Sequence, residues 1–162
     1  GAHVADAVIE AAQARQELEV TEPSGPGFPT EAARQRDVLL FATGSGITAI
    51  RALAHHLLAE RRTAGRLHLF YGQRAAAEFA YADEWDGWRR AGLALTLVAS
   101  RPEPGWNGAT GHVQDVAAAT GFGGAAADRT VAYLSGLPGM VDGVREALAR
   151  FGVPADRVFE NR

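Results

Sequence analysis

The 162-residue chain contains no cysteine. That excludes a disulfide framework, an iron–sulfur cluster and a thiolate zinc site. It contains no lysine either, so every one of its 16 basic residues is arginine. A Gly-rich phosphate loop ending in lysine, Schiff-base chemistry and the phosphate-contacting lysine of protein kinases are therefore ruled out. No apolar run approaches the ~20 residues of a membrane helix, and no segment reads as a signal peptide. With a net charge of −3 and a pI near 5.9, the chain lacks the basic footprint of a nucleic-acid binder. The expectation is a protein of the cytoplasm that engages neither membrane nor nucleic acid. The single methionine is Met140, so Gly1 reads as a cut start, with Gly1-Ala2-His3 resembling a cloning scar and an N-terminal portion expected to be missing.

What is present is an alternation of apolar strands and amphipathic helices. Val4 to Ala14 has helical spacing and Leu18 to Thr21 alternates like a short strand. The loop from Pro23 to Pro29 holds three prolines and two glycines and is the best boundary candidate. Beyond it, strands are predicted at Val38–Ala42, Leu67–Tyr71, Leu93–Ala99 and Thr130–Leu134, with a short fifth at Arg157–Phe159. Helices are predicted at Ile47–Arg62, in one or two pieces over Ala75–Arg90, at His112–Thr120 and at Pro138–Phe151, with Gly121–Gly124 as a loop. This pattern predicts an α/β fold, a five-stranded parallel sheet with helices on both faces. Residues 1–29 are expected to be a linker and 30–162 the domain.

Ligands of such sheets bind beyond the carboxyl ends of the strands, so the residues that follow each strand are the candidates. Thr43-Gly44-Ser45-Gly46 lies between a buried strand and a strong helix. Backbone N–H groups at a helix start favour an anion, and a diphosphate fits; a tight turn with Ser45 as cap is the plainer alternative. Gly46 is not followed by a third glycine three residues on, and the second strand ends in Tyr71-Gly72-Gln73-Arg74 rather than an acid, so the common dinucleotide fingerprint is absent. Arg74 and Ser100-Arg101 are either a phosphate or adenine clamp or simply solvated. Trp106 reads as a pin for a long loop. The histidines have no metal-ligand spacing and no metal site is expected. No nucleophile elbow is present.

Taken in order, the strand ends resemble a family. Thr43-Gly44-Ser45-Gly46-Ile47-Thr48 is similar to the G-T-G-I-A/T-P segment of the ferredoxin–NADP reductase superfamily. Leu69 to Arg74 resembles its L-x-Y-G-x-R, Tyr81 to Glu84 its Y-x-D/E-E, and Ser100-Arg101-Pro102 through Trp106 to Val113 its S-R-P…W-x-G…G-x-V. Tyr133 to Val141 resembles its Y-x-C-G-P-x-x-M-V, with Ser135 where the family has cysteine and Leu137 where it has proline. The resemblance runs from about Leu18 to Arg162.

The resemblance implies the nucleotide-binding half of a flavin-dependent reductase, which presents NAD(P)H for hydride transfer to FAD. FAD would be held by an antiparallel barrel domain of the same gene or of a partner chain, and electrons would pass on to an acceptor. The barrel's R-x-Y-S/T motif is absent from this chain. By resemblance, Thr43, Gly44, Ser45 and Gly46 serve the diphosphate, and Arg74, Ser100 and Arg101 the adenosine end. Ser135, Gly136 and Met140 line the nicotinamide, and Glu160 contacts it or relays a proton. The Ser100-Arg101 pair resembles the 2′-phosphate site of NADPH-using members, whereas Glu103 would repel that group; weak discrimination is expected, with NADPH favoured by no more than about tenfold. A nucleotide-binding module without catalysis, an electron-transfer subunit completed by a partner chain, and a flavodoxin-like module remain open alternatives.

Overall fold

In β1 (Asp37–Thr43), every residue from Asp37 to Ala42 is buried. A strand buried on both faces must alternate between two cores, and β1 does so: Val38, Leu40 and Ala42 belong to one apolar cluster, Leu39 and Phe41 to the other. The same period of two divides β5 (Thr130–Ser135), with Val131 and Tyr133 on the first side and Ala132 and Leu134 on the second. The computed structural model describes residues 27–60 and 65–161. The helix expected at Val4–Ala14, the strand at Leu18–Thr21 and the last two residues of the helix expected to reach Arg62 lie outside them.

The sheet also contains β2 (Leu67–Gln73), β3 (Leu93–Ala99), β4 (Ala109–Thr110) and β6 (Val158–Glu160). The strand order is β4-β3-β2-β1-β5-β6, and every pairing is parallel. The sheet thus has six strands where five are predicted. The extra one, β4, is only two residues long and pairs Ala109 and Thr110 with Val98 and Ala99. It is too short to leave an apolar period.

Helices cover both faces. On the first lie α1 (Ile47–Glu60), which buries Ile47, Ile50, Leu53, Ala54 and Leu57 at helical spacing, and α2 (Trp85–Arg90), which buries Trp88. On the second lie α3 (Val113–Ala119) and α4 (Pro138–Phe151). Proline opens α4 and Gly152, at φ +99°, closes it.

The stretch expected to be helical from Ala75 is broken into 3-10 turns at Ala76–Glu78 and Ala82–Glu84 before α2. Phe79 inserts against Tyr71 and Trp106, and the Tyr71 hydroxyl accepts the N–H of Ala80 at 3.2 Å. Tyr81 is left-handed at φ 60°. Gly121–Gly124, expected as a loop, is a left-handed turn in which Phe122 (φ 51°) is buried against Phe151. At the other end of the chain, Phe28 packs edge-on against Tyr133, whose hydroxyl donates to the Pro29 carbonyl at 2.9 Å. Burial pushes the Tyr133 phenol up to about 12.

Candidate nucleotide site

The chain steps outward from β1 through β2 and β3 to β4, then crosses to the far side of β1 to form β5. The order therefore reverses between β1 and β5, the place where open parallel sheets leave a crevice. Two loops meet there. After β1, a 3-10 turn at Gly44–Gly46 leads directly into α1. After β5, Gly136 and Leu137 lead into α4.

Two glycines, Gly46 and Gly136, let these loops touch, and a third, Gly44, faces away from the contact. Gly44 is at φ +55°, and a Cβ on it would meet nothing within 4 Å. A Cβ on Gly46 would overlap the Ser135 carbonyl. One on Gly136, at φ +152°, would overlap the Thr43 hydroxyl and stand 2.9 Å from Met140 Cε. Gly46 and Gly136 thus serve protein–protein contact, whereas Gly44 opens on free space. Thr43 does not cap the turn; its hydroxyl accepts the N–H of Leu137 at 3.1 Å.

A cleft of about 860 Å³ crosses the carboxyl ends of the strands, within the usual size of small-molecule sites. Thr43 and Gly44 form its centre; Leu137, Gly139 and Met140 border one arm, and Arg74, Glu78, Ser100 and Arg101 the other. The second arm is held together by backbone bonds between the ends of β2 and β3: Ser100 N–H donates to Gln73 O at 3.0 Å and Arg101 N–H to Arg74 O at 2.8 Å. Among the described residues, neither the Arg74 nor the Arg101 guanidinium has a carboxylate partner. Two unpaired cations, a helix start and an open glycine make one cleft suited to a phosphorylated ligand.

Of the residues singled out in the sequence, the cleft brings together Thr43, Gly44, Arg74, Ser100, Arg101 and Met140. Ser45 is exposed beside it; buried Ser135, half-buried Gly46 and exposed Gly136 lie where the two loops touch and do not border it. Glu160 ends β6, opposite Leu134, and pairs with Arg145 of α4 at 3.3 Å; it is not among the residues that border the cleft. The cleft also contains Glu78, His112 and Gln114, which sequence reasoning did not single out as site residues. His112 follows β4, so the rule of inspecting strand ends finds it once that strand is known. Trp106 pins its loop: its indole N–H donates to Ala109 O at 2.9 Å and its ring stacks on Phe79. Among the described residues no group of three or more His, Asp or Glu could hold a metal ion, and no helix is long and apolar enough to cross a membrane.

Comparison with known proteins agrees with this geometry. The family model of the oxidoreductase NAD-binding domain matches residues 40–146, from β1 into α4. The chain is 31% identical over 147 residues to fruit protein pKIWI502 of Actinidia deliciosa, covering 88% of this chain and 45% of that protein. It is 29% identical over 153 residues to the reductase component of propane 2-monooxygenase from Rhodococcus jostii strain RHA1, covering 90% of this chain and 40% of that protein. The chain therefore spans less than half the length of either relative. In fold it is similar to a ferredoxin NADP+ reductase from Neisseria gonorrhoeae solved with FAD and NADP, with a TM-score of 0.75 at 15% identity, covering 94% of this chain and 68% of that one. The cleft at the sheet's reversal and the family match that spans it lead to one assignment: the chain belongs to the oxidoreductase NAD-binding domain family, the nucleotide-binding half of the ferredoxin–NADP reductase superfamily.

Proposed function

We propose that this domain presents NAD(P)H to a flavin in a cytoplasmic reductase, with residues 1–29 linking it to an FAD-binding domain of the same or a partner chain. The observation that carries the reading is the cleft in which the open Gly44 turn lies between the Met140 arm and two arginines that have no carboxylate partner among the described residues. The diphosphate would lie against Gly44 and the first turn of α1, with Ser45 at its edge. The adenosine half would extend toward Arg74, Ser100 and Arg101. The nicotinamide would lie toward Met140, Ser135 and Gly136. Exposed Leu137, 66% accessible, borders this arm and offers an apolar surface to the ring or to the flavin domain.

Bound NAD(P)H supplies the hydride, while the protein supplies orientation and electrostatics. Glu160, at the end of β6, would act from the rim of the nicotinamide side, with Arg145 holding its carboxylate. The names of the relatives support a reductase whose electrons pass to a further acceptor.

The test is single-turnover reduction in a protein that joins this domain to its flavin-binding half. Bleaching of the flavin band by NADH or NADPH is expected, and the 162-residue chain alone should be colourless and unable to reduce dyes. Nucleotide binding without flavin bleaching would instead support a non-catalytic binding module.

A further inference from the structure

β2 ends at Gln73, and the 3-10 turn Ala76–Glu78 folds the chain back over that end. Glu78 Oε2 accepts the backbone N–H of Arg74 at 3.2 Å. A carboxylate is thereby fixed at the carboxyl end of the second strand, although the residue that carries it lies beyond the strand. It borders the same arm of the cleft as Arg74, Ser100 and Arg101.

In doubly wound dinucleotide folds, an acid near the end of the second strand accepts the 2′-hydroxyl of the adenosine ribose. The sequence here shows no acid at that strand end; the turn brings one there. The two guanidiniums at the adenosine end attract the extra 2′-phosphate of NADPH, so a preference for NADH needs a group that opposes them. A carboxylate discriminates directly: it accepts a hydrogen bond from a 2′-hydroxyl and repels a 2′-phosphate. With Oε2 engaged by the Arg74 N–H, Oε1 is left for that hydroxyl.

We infer that Glu78 makes the domain prefer NADH, by accepting the 2′-hydroxyl of the adenosine ribose and repelling the 2′-phosphate of NADPH. This rests on the nucleotide reading of the cleft, and it reverses the slight NADPH preference expected from Ser100-Arg101.

The test is calorimetric titration of the 162-residue chain with NADH and with NADPH, for the wild type, Glu78→Gln and Glu78→Ala. Glutamine keeps an acceptor for the Arg74 N–H and removes only the charge. The wild type is expected to favour NADH by about tenfold or more, and Glu78→Gln to move the ratio at least about tenfold toward NADPH, chiefly by tightening NADPH. If Glu78 merely holds the turn, Glu78→Gln leaves the ratio within about twofold of the wild type and Glu78→Ala weakens both nucleotides alike; either result overturns the inference. If the wild type binds neither nucleotide, the reading of the cleft itself falls.

Discussion

The Thr43 hydroxyl accepts the backbone N–H of Leu137 at 3.1 Å, so the last residue of β1 holds the loop that follows β5. This bond spans the point at which the strand order reverses, and it fixes the two walls of the cleft against each other. Thr43→Val keeps the shape and removes the acceptor. Leu137 is exposed, so its N–H can turn to water and the stability cost should stay below ~1 kcal/mol. Nucleotide affinity should fall roughly five- to tenfold as the loop loosens, and Thr43→Ser should restore it. Urea unfolding and calorimetry on the two variants check both parts.

Gly44 and Gly46 should separate binding from folding. An alanine at Gly44 meets no protein atom within 4 Å but must adopt φ +55°, a strain of about 1–2 kcal/mol. The fold should survive while affinity drops more than about tenfold, because the Cβ stands where a phosphate approaches the backbone. An alanine at Gly46 overlaps the Ser135 carbonyl and stands 2.7 Å from the Gly136 nitrogen. It should cost about 1–3 kcal/mol or more of stability, and thermal unfolding should show a lowered Tm. A substitution at Gly46 thus reports on packing behind the cleft.

Asp37 lies at the amino end of β1, away from the cleft, and accepts the N–H groups of Arg66 at 2.7 Å and Ala126 at 3.0 Å and the Arg129 guanidinium at 3.0 Å. Burial pushes its carboxyl pKa up, but these donors together outweigh it and hold the pKa below the ordinary value of 3.8. A depressed folded pKa means that the stabilisation is complete above the unfolded pKa and is lost as pH falls through the folded one. Asp37→Asn should therefore cost about 2 kcal/mol at neutral pH, and the gap from the wild type should narrow as pH falls below 3.8. Denaturant titrations at a series of pH values check the sign, and nucleotide affinity at neutral pH should be unchanged.

The legible parts of the sequence were those whose burial is local and continuous. β1 shows as an apolar run because both of its faces are covered, and α1 shows because its buried stripe repeats at helical spacing. β4 has no sequence signal, since its two residues are strand only through pairing with Val98 and Ala99, and His112 therefore does not show as a strand-end residue. Glu78 is not legible as a site residue because its carboxylate reaches the strand end through a turn whose course depends on Phe79 packing against Tyr71 and Trp106. In the sequence Gly46 reads as a ligand-facing glycine, and only the position of Ser135 in space shows what its Cα hydrogen approaches.

The central claim is that the cleft across the reversal of the sheet holds the pyridine nucleotide. The most direct test is a titration of the isotopically labelled 162-residue chain with NADH, followed by backbone amide resonances. A saturable one-to-one response is predicted, with the largest shifts at Thr43, Gly44, Arg74, Ser100, Arg101 and Met140. No saturable response at millimolar nucleotide, or shifts centred instead on the groove between Arg89, Leu97 and Trp106, would contradict it.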